Sequence, residues 1–145
     1  KGGQIMVLSS ACQDVIRAMI FMSEQPGMTQ VKNITKELDL PYHFLSKNMQ
    51  IVSKVGLVDA KRGIDGGVKL AKNPDDIKII DIIKAVDGDK YFDKCLLGIG
   101  DCDCENECSL HEEWAKRRGE LIEIFSAMSL GDISKDIKAN KIKRI

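Results

Sequence analysis

The sequence has no long apolar run, no net charge and no nucleotide-binding glycine motif, and each absence narrows the reading. No stretch approaches the roughly 20 apolar residues that a membrane-spanning helix needs, and no basic-then-apolar leader opens the sequence. A soluble cytoplasmic chain with no membrane partner is therefore expected. The glycine-rich stretch Arg62-Gly63-Ile64-Asp65-Gly66-Gly67 is not followed by GKS or GKT, and no strand-to-helix pattern surrounds it, which argues against a phosphate cradle. The cysteine count is five. An odd count in a cytosolic chain is not a disulfide framework, so it points to metal binding or redox chemistry.

Charge is balanced overall, with 22 Lys/Arg against 22 Asp/Glu, but it is segregated along the chain. Between Thr29 and Arg62 the cations Lys32, Lys36, Lys47, Lys54, Lys61 and Arg62 face only Glu37, Asp39 and Asp59. From Asp75 to Glu113 acids outnumber bases roughly three to one. A basic half beside an acidic half suits a protein with one face turned to phosphates.

Four of the five cysteines lie in the segment 95–111, CLLGIGDCDCENECSLH: Cys95, Cys102, Cys104 and Cys108, with His111 close behind. Glycines and acids separate them, so the segment has little to bury. Thiols at short spacing on such a loop suit a soft transition metal or an iron–sulfur centre.

The length of 145 residues suits one domain, or a small domain with an appended dimerisation element. A first helix is expected over 10–25, opened by a Ser10–Gln13 capping box and closed by Pro26-Gly27. Two helices follow over 31–38 and 41–55, joined by a tight turn at Asp39-Leu40, with Pro41 at a first helical position. Ile34, Leu38, Phe44, Leu45, Met49, Val52 and Val55 are expected to face inward, and Tyr42, His43, Ser46, Lys47 and Gln50 outward. That is the pattern of a helix-turn-helix, whose second helix enters the DNA major groove.

Strands are expected over 57–61 and 68–70. A hairpin placed directly after a helix-turn-helix is a wing, whose Lys61 and Arg62 can follow the DNA backbone or the minor groove. Gly66 and Gly67 permit close approach. Beyond Asn73-Pro74, helices are expected over 77–86 and 109–129, the latter with a Ser109–Glu112 capping box, and a last helical turn over 130–137. Leu110, Trp114, Leu121, Ile124, Phe125 and Met128 form one apolar stripe on the long helix, which suits pairing with its twin in a two-fold dimer. The expected fold is mainly α with a small β-hairpin. It divides into a winged helix-turn-helix over 4–74, a short helix and cysteine loop over 75–108, and a dimerisation helix with its terminal turn over 109–137.

Taken in order, these landmarks make the chain resemble the family of winged-helix regulators that includes IscR, NsrR, RirA and CymR, over nearly its full length. The matching stretches are Leu8-Ser9, Pro41-Tyr42-His43-Phe44-Leu45, Gly56-Leu57-Val58 and the wing from Arg62 to Leu70. Ala85-Val86-Asp87-Gly88, Cys95, Cys102, Cys108, Leu110-His111 and Trp114 complete the set. The resemblance implies a homodimeric transcription factor, not an enzyme, that binds double-stranded operator DNA. Carried over by position, Pro41, His43, Ser46, Lys47 and Arg62 contact DNA, and Cys95, Cys102 and Cys108 hold an iron–sulfur cluster.

In the 2Fe–2S branch the fourth ligand is a histidine placed as His111 is here, which makes 2Fe–2S the preferred cluster and 4Fe–4S the alternative. Other branches use an acidic residue early in the first helix. The matching position here is Gln13, a poor ligand, flanked by Cys12 and Asp14. Cys104 is extra to the triad and is an alternative fourth ligand. Two other regulators fit the same loop: one with a zinc site, and one with a thiol-based redox switch.

Overall fold

The first helix, α1 (Ser10–Ser23), is the post around which the chain packs. Cys12, Val15, Ala18, Met19 and Met22 recur at three- and four-residue spacing, so one face of the helix is completely buried. Its cap is Ser9, whose hydroxyl accepts the Cys12 amide at 3.0 Å. The expected Ser10–Gln13 box is thus displaced by one residue, and the Gln13 side chain donates instead to Leu8 O at 3.3 Å. This computed structural model describes residues 7–100, 102 and 108–139.

Helices α2 (Val31–Leu38) and α3 (Tyr42–Lys54) form the helix-turn-helix. Asp39 takes the left-handed conformation between them (φ 53°), which lets the Leu40 amide reach Thr35 O at 2.9 Å. Pro41 is the N-cap of α3, one position before the first helical residue. Leu45, Met49 and Val52 are the buried face of α3. Two residues assigned inward from the sequence face solvent instead: Phe44 is 69% exposed and Val55 55%. Phe44 lies one position off the i, i+4, i+7 stripe begun by Leu45, and Val55 falls beyond Lys54, the last helical residue, and so off that stripe.

Strands β1 (Val58–Lys61) and β2 (Gly67–Leu70) pair antiparallel from Val58↔Leu70 to Lys61↔Gly67. The wing is fastened to the body through Thr29 and Val68, which exchange backbone hydrogen bonds of 2.9 and 2.8 Å. A Cβ on Gly67 would lie 2.4 Å from Thr29 O, and one on Gly66 2.2 Å from Lys61 O. Glycine is needed at both positions because the chain's own backbone presses against them. Gly67 also has φ 141°, which L side chains rarely adopt.

A 3-10 turn (Pro74–Asp76) leads into α4 (Ile79–Asp87), where Ile79, Ile80, Ile82 and Ile83 are all buried. A second 3-10 turn (Tyr91–Asp93) opens the cysteine loop. The long helix α5 (His111–Ala127) starts two residues later than expected, with Leu110 as N-cap and no side-chain cap. The chain then turns back. Helix α6 (Leu130–Lys138) begins at a capping box formed by Ser129 and Asp132 and lays Leu130 and Ile137 into the core beside α1. It is held there by the bond from the Leu130 amide to Ile77 O at 2.8 Å and by the Lys135–Asp75 ion pair at 2.9 Å. The segment after α5 therefore completes the core of the winged helix, although it follows the long helix in sequence.

Candidate DNA-binding face and cysteine loop

The outward face of α3 carries Tyr42, His43, Lys47 and Gln50, all exposed, with Ser46 partly so. Tyr42 and His43 meet edge to face at 5.6 Å, which steadies the two rings against each other at the start of the helix. Pro41 is exposed beside them, and Lys61 and Arg62 are exposed on the wing. The wing loop is drawn toward α2 by the Gln30 side-chain amide, which donates to Ile64 O at 3.4 Å. Gly66 is buried and Gly67 half-buried, so these two shape the wing from within.

In the cysteine loop, backbone bonds tie Asp93 O to the Cys102 amide at 2.8 Å and Gly100 O to the Cys95 amide at 2.9 Å. The chain from 95 to 100 therefore folds back on itself, with left-handed glycines at Gly98 and Gly100. Inside this turn the backbone amides of Ile99 and Leu97, helped by that of Gly98, hold the Cys95 thiol below its ordinary pKa. The Leu97 amide lies 3.4 Å from Cys95 Sγ. Cys102 Sγ lies 3.3 Å from His111 Nδ1, across the gap between loop and helix.

Cys108 is exposed, and its carbonyl accepts the His111 amide at 2.9 Å. Among the described residues no three potential ligands converge on one point. Cys104 lies outside the described residues. Cys12, which flanks the expected first-helix ligand position, is completely buried in the core. Burial, and then the charge of Asp87, push its thiol up to about 12. It is a packing residue.

The loop is braced on both sides by contacts that sequence reasoning did not identify. On the α5 side, Trp114 Nε1 donates to Lys94 O at 3.4 Å, Arg118 donates to Phe92 O at 3.3 Å, and Phe92 stacks on Phe125 at 6.0 Å. On the α1 side, the Tyr91 hydroxyl donates to Val7 O at 2.8 Å and Ser9 Oγ to Asp87 Oδ1 at 2.5 Å. The aromatic pair Tyr91-Phe92, with one ring directed to each side, was the available signal.

A helix-turn-helix with a pinned wing and a basic outer face defines a DNA-binding protein of the winged-helix class. A family model described as "Rrf2: Iron-dependent Transcriptional regulator" matches residues 8–136, and the chain belongs to that family. A protein of Aquifex aeolicus described as a "Putative HTH-type transcriptional regulator" is 31% identical over 132 residues, covering 88% of this chain and 91% of its own. Two solved structures share the fold. CymR, the global cysteine regulator of B. subtilis, has a TM-score of 0.74 at 24% identity, over 90% of this chain and 98% of its own. IscR of T. potens has a TM-score of 0.74 at 22% identity, over 97% and 95%. These relatives are transcriptional regulators, not enzymes. Among the described residues no helix is long and apolar enough to cross a membrane.

Proposed function

We propose that this protein is a homodimeric regulator whose binding to operator DNA is governed by an iron–sulfur cluster on the loop before α5. Cys95, Cys102, Cys108 and His111 are the proposed ligands, with Cys104 as the alternative fourth donor. The observation that carries the proposal is the approach of Cys102 Sγ to His111 Nδ1 at 3.3 Å. It joins a thiol and an imidazole from two different elements, on a loop where a second thiol is already biased toward thiolate. Three thiols and an imidazole are a donor set suited to iron–sulfur ligation, with 2Fe–2S preferred. A bound cluster would supply a centre sensitive to iron supply, oxidants and nitric oxide. The family model's description as iron-dependent supports the same reading.

The chain's own residues would convert the state of this loop into a DNA response. Holding Cys102 against His111 fixes the first turn of α5. Trp114 and Arg118 then hold the carbonyls of Lys94 and Phe92, so loop and helix move together. On the other side, Tyr91 and Asp87 fasten the same segment to Val7 and Ser9 at the start of α1. In the proposed dimer α5 packs on its twin. The angle at which α5 leaves the loop would then set the separation of the two α3 helices, which must match half-sites about 34 Å apart. A coupling of about 1–3 kcal/mol changes affinity roughly 5- to 150-fold. Operator affinity measured by fluorescence anisotropy should differ by such a factor between cluster-loaded and chelator-treated protein. His111→Ala should remove the difference. Equal affinities in the two states would rule out cluster control.

One observation favours a second reading. The amide cradle around Cys95 stabilises a thiolate whether or not a metal is present, which suits a thiol-based redox switch. Operator binding by metal-free protein that responds to peroxide, and loses that response in Cys95→Ser, would select it.

A further inference from the structure

The DNA-facing side of α3 holds one large residue that neither the core nor the polar recognition set explains. Leu45, Met49 and Val52 bury the inner face of the helix, and Phe44 is 69% exposed on its outer side. It stands one helical turn before exposed Lys47 and beside exposed Tyr42 and His43. Lys61 and Arg62 are exposed on the wing, and Lys32 and Lys36 on α2. An exposed aromatic ring on a helix whose neighbouring elements carry exposed cations is complementary to a polyanion with an apolar feature inside its groove. The major groove offers one such feature on a base edge, the C5-methyl group of thymine.

We propose that Phe44 is a specificity-determining residue that reads thymine through this methyl group. The inference rests on the DNA-binding reading of the chain and extends it to a residue and a base. Tyr42, His43, Ser46 and Lys47 are left to hydrogen-bond to base edges and phosphates around it. Phosphate contacts carry no sequence information, so Phe44 acts on operator choice more than on affinity for arbitrary duplex.

The test begins with selection of operators from a random duplex pool by the wild-type chain, both as purified anaerobically and after chelation. The selected half-site should fix a thymine. Replacing that thymine by deoxyuracil, which removes only the methyl, should weaken wild-type binding about fourfold per half-site, the worth of one buried methyl group. Phe44→Ala should bind the thymine and uracil operators equally, and Phe44→Leu should discriminate less than wild type. Circular dichroism melts check that both variants fold, and the Leu variant supplies the ratio if the Ala variant binds too weakly to measure. A selected site without a fixed thymine, or a wild-type thymine-to-uracil ratio retained in both variants, overturns the proposal. Failure to select any sequence would instead bring down the DNA-binding reading itself.

Discussion

Helices α4 and α5 both carry apolar side chains, yet they are built for different surroundings. Helix α4 buries Ile79, Ile80, Ile82 and Ile83 within the protomer, whereas α5, nearly twice as long, has no fully buried residue. Its apolar side chains divide between two directions. Trp114, Leu121 and Phe125 turn partly toward the body, while Leu110, Ile124 and Met128 remain 42, 50 and 37% exposed. The neighbouring loop adds Leu96, Leu97 and Ile99, which are 56–81% exposed. Exposed apolar side chains gathered next to a donor-rich loop are what a surface that meets a partner would show, and they support the proposed dimer. The winged helix, with α6, closes its core, whereas the α5 region stays open, where the proposed second copy and metal centre would sit.

The largest effect should come from the closed side. Ile82→Ala, at a fully buried position on α4, should lower unfolding free energy by about 2–5 kcal/mol in urea titration. The same cut at Ile124, on the open side, should leave protomer stability nearly unchanged; comparable losses at the two positions would erase the contrast. Next comes Gly67→Ala, which forces a side chain into a φ of 141° and against Thr29 O. A loss of about 1–3 kcal/mol is expected, and wild-type stability would mean that Thr29 and the wing are not pinned as described.

Ile124→Ser sharpens the comparison from the other side. Sedimentation should show at least a tenfold weaker dimer, about 1.4 kcal/mol, with an unaltered circular dichroism spectrum. An unchanged dimer would move the proposed interface away from this face of α5. The smallest perturbation is chemical. In metal-free protein at pH 8, Cys95 should alkylate early, because amide bonding lowers its pKa and enlarges the thiolate fraction. Cys12, raised to about 12 and buried, should label only after unfolding. Labelling of Cys12 in folded protein would show that the core around α1 opens.

The features legible in the sequence are those set by local chemistry. The turn at Asp39 and the hairpin expected over 57–61 and 68–70, which pairs as 58–61 with 67–70, follow from turn residues and alternation that act over a few positions. Phe44 departs from the expected inward stripe because apolar character alone does not bury a residue: the stripe begun by Leu45 is complete without it. The caps slipped for a related reason: Ser9 and Ser10 are adjacent and chemically equal, and tertiary packing chose the first. The folding back of α6 sets Gly131 against Asp75 of the 3-10 turn, a meeting of residues far apart in sequence that no local pattern announces. In the cysteine loop the donor types were legible, and the approach of Cys102 to His111 was not, because it depends on how α5 is docked.

An iron–sulfur cluster in the open region is the proposal on which the DNA response depends. Its most direct test is the visible absorption spectrum of anaerobically purified protein, with iron, sulfide and zinc assayed on the same sample. Broad charge-transfer bands with iron and sulfide in near-equal amounts, lost when Cys102 is replaced by Ala, are the predicted result. A colourless protein that carries zinc, or that stays colourless after anaerobic reconstitution with iron and sulfide, would contradict it.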